Sequence, residues 1–225
     1  GQGFATYDFA VSEGGDRGAN SLFGQRNASD VTDAALGWLA DRPAEQPYFL
    51  WVHYYDPHHP YEAPVAAGQP RPNTATARYD AEIAYMDAEI GRLLERVQAE
   101  SNDEPTLIVA ASDHGESLGE HGEDRHGLFI YEATMHAALI FSSPTLFERA
   151  YRVEKPTVSL VDVFPTIVDL PGLPAVPDLD GFSLIRPGLP AERTVYMESV
   201  YAMEGLGCSP LYGLRTHEEK FIESP

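Results

Sequence analysis

Side chains able to bind a metal ion directly follow one apolar stretch of this sequence. Asp113 and His114 come after the apolar residues 107–111 and before Gly115. A carboxylate and an imidazole on a tight loop can both ligate a divalent cation, and a glycine lets the backbone pass close to the ion. A catalytic metal normally takes at least three protein groups, so further ligands must come from elsewhere. The alternative is structural: Asp113 caps a helix beginning near Glu116, while His114 makes an ordinary surface hydrogen bond.

Histidines form the second group of candidates: His53, His58, His59, His121 and His126. His58 lies between Pro57 and Pro60, whose stiff backbone would fix the imidazole toward a shared cleft. His126 follows a charged loop, and converging imidazolium groups near a metal would suit an anionic tetrahedral substrate and protonation of its leaving group. His53 is expected to be buried and hydrogen bonded, because it lies inside an apolar stretch.

The elements that must position these groups alternate between strands and helices. Residues 1–27 are predicted as loop, and a helix capped by Asn27 or Ser29 follows and stops at Pro43. Residues 48–55 and 107–111 are predicted as buried strands. A long helix is predicted between these strands from apolar residues at helical spacing: Ile83, Met86, Ile90, Leu93 and Val97. It is expected to end near Ala99, before the polar residues 101–103. Strand, helix and strand in this order imply a right-handed crossover and parallel pairing.

The rest of the chain is predicted to alternate in the same way and then to form a smaller sheet. Residues 137–142 are predicted as a strand and 160–170 as a short helix. Three short strands separated by turns predict a small antiparallel sheet near the end, at 194–200, 211–215 and 220–222. The predicted fold class is therefore α/β, with a mostly parallel central sheet flanked by helices and the start of a small C-terminal antiparallel sheet.

Charge, cysteine content and the length of the apolar stretches limit the class of protein and its partners. Fifteen Lys and Arg against 35 Asp and Glu give a formal net charge of −20, which argues against nucleic acid and anionic membranes. An acidic loop would also repel an anionic substrate unless a metal ion reversed the local sign. A single cysteine excludes an internal disulfide framework. No apolar stretch approaches the roughly 20 residues that span a bilayer.

Two long motifs resemble those of one enzyme family. Residues 112–122, with 126–127 and 131–132, resemble the second metal-binding motif of the sulfatases, in the alkaline phosphatase superfamily. Residues 49–61 are similar to the central histidine motif of that family. Weaker similarities lie at 31–35, 162–166 and 214–216. The motifs follow one another in the order of the family and span nearly the whole chain.

The resemblance implies roles for four residues. Asp113 matches the metal-binding aspartate, and His114 occupies the adjacent ligand position. His58 matches the histidine that contacts the sulfate group, and His126 matches the residue that contacts sulfate and helps protonate the leaving oxygen. The metal in such enzymes is commonly calcium, although a histidine ligand is more typical of zinc or manganese, so the identity of the ion stays open. The implied partner is a small-molecule or glycan sulfate ester.

The family nucleophile does not occur in this sequence. Sulfatases carry a pair of metal-binding acids on their first strand and a Cys-x-Pro-x-Arg motif whose Cys or Ser becomes formylglycine, and both are absent here. Cys208 resembles the start of that motif, but Tyr212 stands where Arg is required. We therefore expect Cys208 to be a small packed residue of the terminal sheet, and formylglycine to lie in a missing N-terminal part.

We expect this chain to be the C-terminal part of a sulfatase-like enzyme. Residues 1–190 would be a partial catalytic domain and 191–225 the beginning of a C-terminal antiparallel subdomain, and the chain alone would lack turnover. One alternative is a phosphodiester or phosphonate ester hydrolase or a phosphoglycerol transferase of the same superfamily, because both ester classes need a clamp for a tetrahedral anion. Another is a noncatalytic binding domain. Periplasmic, extracellular and lysosome-like compartments stay open, because no targeting signal is present.

Overall fold

A computed structural model describes residues 3–9, 26–43, 46–100, 105–186 and 189–225. Most of the predicted loop at 1–27, and the predicted helix end at 101–103, lie outside these residues. The chain forms two compact units, Gly1–Glu104 and Pro105–Pro225. The domain boundary expected after residue 190 stays a prediction.

Two helices form the core of the first unit. Helix α1 spans Ala28–Asp41, and the Asn27 side chain caps it by accepting the Asp30 N–H. Helix α2 spans Ala75–Glu100, and the Thr74 hydroxyl accepts the Ala77 N–H at its start. Both predicted helices are thus confirmed. Their apolar faces meet in a buried cluster of Ala35, Leu39, Leu93 and Val97.

The predicted buried strand at 48–55 is wrong in this structure. The segment belongs to neither sheet, and Phe49 and Trp51 are 62% and 71% exposed. Burial alternates along it, because Leu50 and Val52 pack against the helical cluster while their neighbours point away. His53 is on the exposed side, so the expectation that it is buried was also wrong. A continuous apolar run gives no information on whether a partner strand or solvent covers its second face.

The second unit begins with a strand pair. Strand β1, Ile108–Ala111, pairs antiparallel with β2, Leu139–Ser142, so that Ala111 lies opposite Leu139. Both strands were predicted, but no parallel pairing occurs among the residues that the structure describes. The short helix α3, Glu132–Met135, lies in the connection.

The remainder of this unit confirms the predicted helix and the small antiparallel sheet. A 3-10 turn, Leu160–Asp162, leads into α4, Val163–Asp169. Strands β3, Val195–Ser199, β4, Leu211–Arg215, and β5, Lys220–Glu223, form an antiparallel sheet in the order β3-β4-β5. Helix α5, Tyr201–Leu206, follows β3 and was not predicted. In the described parts of the chain, no helix has the length and apolarity needed to cross a bilayer.

Candidate functional site

The loop after β1 is fixed by backbone contacts with the segment before β2. Ser112 exchanges two hydrogen bonds with Ala138, one through its N–H and one through its hydroxyl. The Gly115 N–H donates to the Thr134 carbonyl at 2.8 Å. A Cβ atom at Gly115 would lie 2.3 Å from the Ala133 carbonyl oxygen. The glycine is therefore needed where the loop passes against the backbone of α3.

Replacing Gly115 with Ala is expected to lower the free energy of unfolding by about 1–3 kcal/mol, because the added methyl forces the loop away from α3. Urea unfolding followed by circular dichroism measures the change. Gly37 is the matched control, since it is exposed within α1 and a Cβ there meets nothing within 4 Å. Gly37→Ala should leave stability unchanged or raise it by up to about 1 kcal/mol. Equal losses in both variants would contradict the steric explanation.

Asp113 and His114 present adjacent donor atoms on this loop. His114 Nδ1–H donates to the Gly115 carbonyl at 2.7 Å, since a carbonyl can only accept, so the neutral ring keeps its lone pair on Nε2. Asp113 Oδ2 lies 3.7 Å from that nitrogen. Ligand atoms lie roughly 2.0–2.6 Å from a bound metal ion. Two ligand atoms of the same ion can therefore be separated by a distance close to that between Asp113 Oδ2 and His114 Nε2. The pair therefore fits two positions of a divalent metal site.

These two residues do not make a complete metal site. Among the described residues, no group of three His, Cys, Asp or Glu side chains is arranged to hold a metal ion. The Asp113 side chain is 84% exposed, and Asp113 Oδ1 accepts the His114 N–H at 3.0 Å. The alternative of a helix cap at Asp113 is wrong, because no α-helix begins near Glu116 in this described segment, and the 3-10 turn Glu120–Gly122 follows Gly119.

His126 lies beside this pair and is held by a carboxylate. The His126 and His114 rings have centroids 4.1 Å apart. His126 Nδ1–H donates to Glu116 Oε1 at 3.0 Å, and the Glu116 side chain is only 5% exposed. This hydrogen bond raises the pKa of His126 above its ordinary value, against the opposing effect of burial. The hydrogen bond to Glu116 thus favours the protonated form of His126, which carries a proton on Nε2.

A second buried carboxylate shapes the loop between Glu116 and His126. Glu123 is 3% exposed and accepts the N–H groups of Leu128 and Phe129 at 2.7 and 3.2 Å. The buried Ser117 hydroxyl donates to the Glu123 carbonyl at 2.7 Å. These bonds close the loop, so that residues ten positions apart meet.

His58 lies in the first unit. Its Nδ1–H donates to the His59 carbonyl at 2.8 Å, and its Nε2 lies 3.2 Å from the Tyr55 hydroxyl. The Tyr55 and His58 ring centroids lie 4.3 Å apart, with the ring planes tilted by 38°. Beneath this turn, Glu82 is 4% exposed. Burial, together with the nearby charge of Asp56, raises the pKa of Glu82 to about 7.

The sequence interpretation missed two buried carboxylates: Glu116, which accepts a hydrogen bond from the His126 ring, and Glu82, which accepts the His58 backbone N–H. Glu82 could have been found, because it lies four residues before Met86 on the apolar stripe of α2, where a charged residue is out of place. No local signal distinguished Glu116 from the other acids of its loop. The expectation that Cys208 packs in the terminal sheet was wrong, because the residue is exposed and outside the strands.

Comparison with known proteins gives the family. The family model described as Sulfatase matches residues 4–173. The chain belongs to the sulfatase family. It is 34% identical over 109 residues to arylsulfatase K of Gallus gallus, a match covering 48% of this chain and 20% of that protein. It is 31% identical over 147 residues to choline-sulfatase of Rhizobium meliloti, covering 64% and 28% respectively. The matches thus span less than a third of these curated relatives.

Solved structures agree with this assignment. The yidJ protein of Bacteroides fragilis matches with a TM-score of 0.66 and 19% identity, over 90% of this chain and 52% of that chain. This likeness shows the fold. A second structure, of a protein in complex with its substrate D-glucosamine-2-N,6-O-disulfate, matches with a TM-score of 0.50 and 29% identity. That match covers 67% of this chain and 32% of the other.

Proposed function

We propose that this chain supplies metal ligands and the proton donor of a site that hydrolyses sulfate esters, with the nucleophile outside these 225 residues. The observation that carries the proposal is the Glu116–His126 hydrogen bond beside the His114 ring. It combines a proton-carrying imidazole with the two donors of a divalent metal site, Asp113 and His114. Positive charge near the sulfate oxygens favours cleavage of a sulfate ester, and a poor leaving group also needs a proton on the leaving oxygen.

Each residue has a separate task in this proposal. Asp113 Oδ2 and His114 Nε2 would hold the ion, and the Gly115 carbonyl keeps His114 in the tautomer that can ligate a metal. A bound divalent ion would supply the positive charge that neutralises the sulfate oxygens. His126 donates its Nε2 proton to the leaving oxygen, and Glu116 keeps the ring oriented throughout.

His58 is proposed to contact the sulfate group. Its Nε2 already faces the Tyr55 hydroxyl, so an anion would compete with that hydroxyl for the ring. A protonated His58 donates from Nε2, and the Tyr55 hydroxyl can rotate to share the anion. The contact between the two tilted rings keeps both groups close together during this exchange.

The finer features of the complete protein follow from the family. We infer a mostly parallel central sheet that includes β1, a calcium ion or another divalent metal, and a formylglycine nucleophile upstream. Sulfated glycans are one suitable substrate class, since the structural relative at 29% identity binds D-glucosamine-2-N,6-O-disulfate as its substrate. The phosphate ester and noncatalytic alternatives have no comparable support.

The test uses the complete product of the gene that contains this sequence. We expect hydrolysis of 4-nitrophenyl sulfate at a higher kcat/KM than 4-nitrophenyl phosphate, lost on chelation with EDTA and restored by a divalent metal. Mass spectrometry of the same preparation would find the formylglycine. A preference for the phosphate ester would favour the superfamily alternative, and the absence of both activities in metal-loaded, formylglycine-containing protein would contradict the proposal.

A further inference from the structure

Glu82 is a buried carboxylate whose two oxygens both bind the backbone of a distant turn. Its Oε2 accepts the His58 N–H at 2.9 Å, and its Oε1 accepts the Glu62 N–H at 2.8 Å. The side chain comes from α2, yet both hydrogen bonds leave the helix. One carboxylate therefore closes a segment that begins 24 residues earlier in the chain.

The turn between these two amides contains a backbone conformation that needs support. The Tyr61 N–H donates to the His58 carbonyl at 3.0 Å, and Tyr61 has a φ of 60°. This left-handed conformation is unfavourable for a bulky side chain and persists only where the surroundings impose it. Tyr61 is 3% exposed and packs edge-on against Tyr79. Glu82 holds the amides on both sides of this residue.

We propose that Glu82 is a positioning residue, which fixes the direction of the His58 imidazole by holding both ends of the turn that carries it. The ring itself is tied to the turn, because His58 Nδ1–H donates to the His59 carbonyl. A displacement of the turn therefore moves the imidazole with it. The consequence of this positioning for sulfate binding rests on the function proposed above. The effect of Glu82 on the conformation of the turn does not.

The strength of the hydrogen bonds from the turn to Glu82 depends on whether the Glu82 carboxyl group is protonated. The charged groups that face it are the carboxylates of Asp56 and Glu62, and Asp56 accepts the Ala28 N–H. Burial and these charges raise the pKa of Glu82 to about 7. Protonation turns one oxygen into a hydroxyl group, which is a weaker acceptor than a carboxylate oxygen, and it removes the charge that strengthens both hydrogen bonds. The turn is thus held most firmly above neutral pH.

Amide hydrogen exchange of the chain, followed residue by residue by NMR, tests the role directly. In Glu82→Gln one amide faces an –NH₂ group and loses its acceptor. We expect protection at His58 or Glu62 to fall by about tenfold or more, the equivalent of one hydrogen bond to a charged group. Glu95→Gln removes the same charge from an exposed position of α2 and should leave both amides unchanged. Unaltered protection in a folded Glu82→Gln variant would overturn the inference.

The unmutated chain provides a second test, which decides the matter if the variant does not fold. Protection at His58 and Glu62, corrected for intrinsic exchange, is expected to be lower at pH 5 than at pH 8. The Ala28 amide reports separately on protonation of Asp56, its acceptor. Equal protection at both pH values for the two turn amides would overturn the inference.

Kinetics of the complete protein separate this inference from the proposed function. If His58 binds sulfate, Glu82→Gln should raise KM by about tenfold and change kcat less, because it weakens a contact present before the transition state. An unchanged KM alongside lost amide protection would remove the link to sulfate binding and overturn that part of the inference. If the unmutated complete protein has no sulfatase activity, the proposed function fails, while the amide measurements still decide the role of Glu82.

Discussion

Replacing His126 with Gln in the complete protein is expected to lower kcat for an alkyl sulfate ester by about 100- to 10,000-fold, the range that general acid catalysis supplies. Glutamine keeps a polar side chain beside Glu116 but cannot deliver a proton to the leaving oxygen. The loss should be smaller for 4-nitrophenyl sulfate, because nitrophenolate leaves without protonation. This dependence on the leaving group distinguishes a lost proton donor from a disturbed site.

His121 provides the control for that experiment. It lies in the same loop and stacks on Tyr131 with ring centroids 3.9 Å apart, on the exposed surface. His121→Gln should leave kcat within about twofold of the unmutated enzyme, as expected for a surface change of small free energy. Equal losses for alkyl and nitrophenyl esters in His126→Gln would contradict its role as the acid.

The largest expected effect on stability comes from Asp162, which is completely buried. It pairs with both terminal nitrogens of Arg193 and accepts the N–H groups of Ser159 and Phe182, each at 2.8 Å. Asp162→Asn leaves a buried guanidinium without its counter-charge, so the free energy of unfolding should fall by about 3–5 kcal/mol. Urea unfolding followed by circular dichroism measures the change.

An exposed ion pair serves as the comparison. Asp33 binds Arg92 at 2.8 Å, with side chains 64% and 46% exposed. Asp33→Asn should cost no more than about 1 kcal/mol, since solvent screens such pairs. A loss of similar size for Asp33→Asn and Asp162→Asn would show that burial of the Asp162 pair is not what stabilises this region.

Local sequence signals predicted the elements that depend on local interactions. Helix α1 is fixed by its Asn27 cap, α2 by the spacing of Leu93 and Val97, and β4 by its flanking turns. The bounds of α1 and β4 and the end of α2 were predicted nearly to the residue, whereas the apolar pattern of α2 began only at Ile83. The segment 48–55 was predicted wrongly because its apolar content is real, but a strand also needs a partner, which lies elsewhere in the chain. The parallel pairing expected for β1 is not seen among the described residues and stays a prediction, because it too needs a partner strand.

Part of the candidate site could be singled out from the sequence. Asp113, His114 and His126 were singled out by residue type and by resemblance, and the structure brings the rings of the two histidines together. Glu116 was not singled out, because its effect depends on a loop closing over ten residues through Glu123 and Ser117. Closure of that kind is a tertiary property, which no pattern of nearby residues encodes.

The residues just after His126 contact residues that lie far along the chain. Ser199 donates to the Gly127 carbonyl, Lys220 Nζ donates to the Ile130 carbonyl at 3.0 Å, and Gly213 leaves room for the buried Ile130 side chain. During synthesis the loop emerges some 90 residues before Lys220 does. The loop that carries His126 can therefore form these contacts only after β3, β4 and β5 have been synthesised, so this part of the proposed site depends on contacts between residues far apart in the sequence.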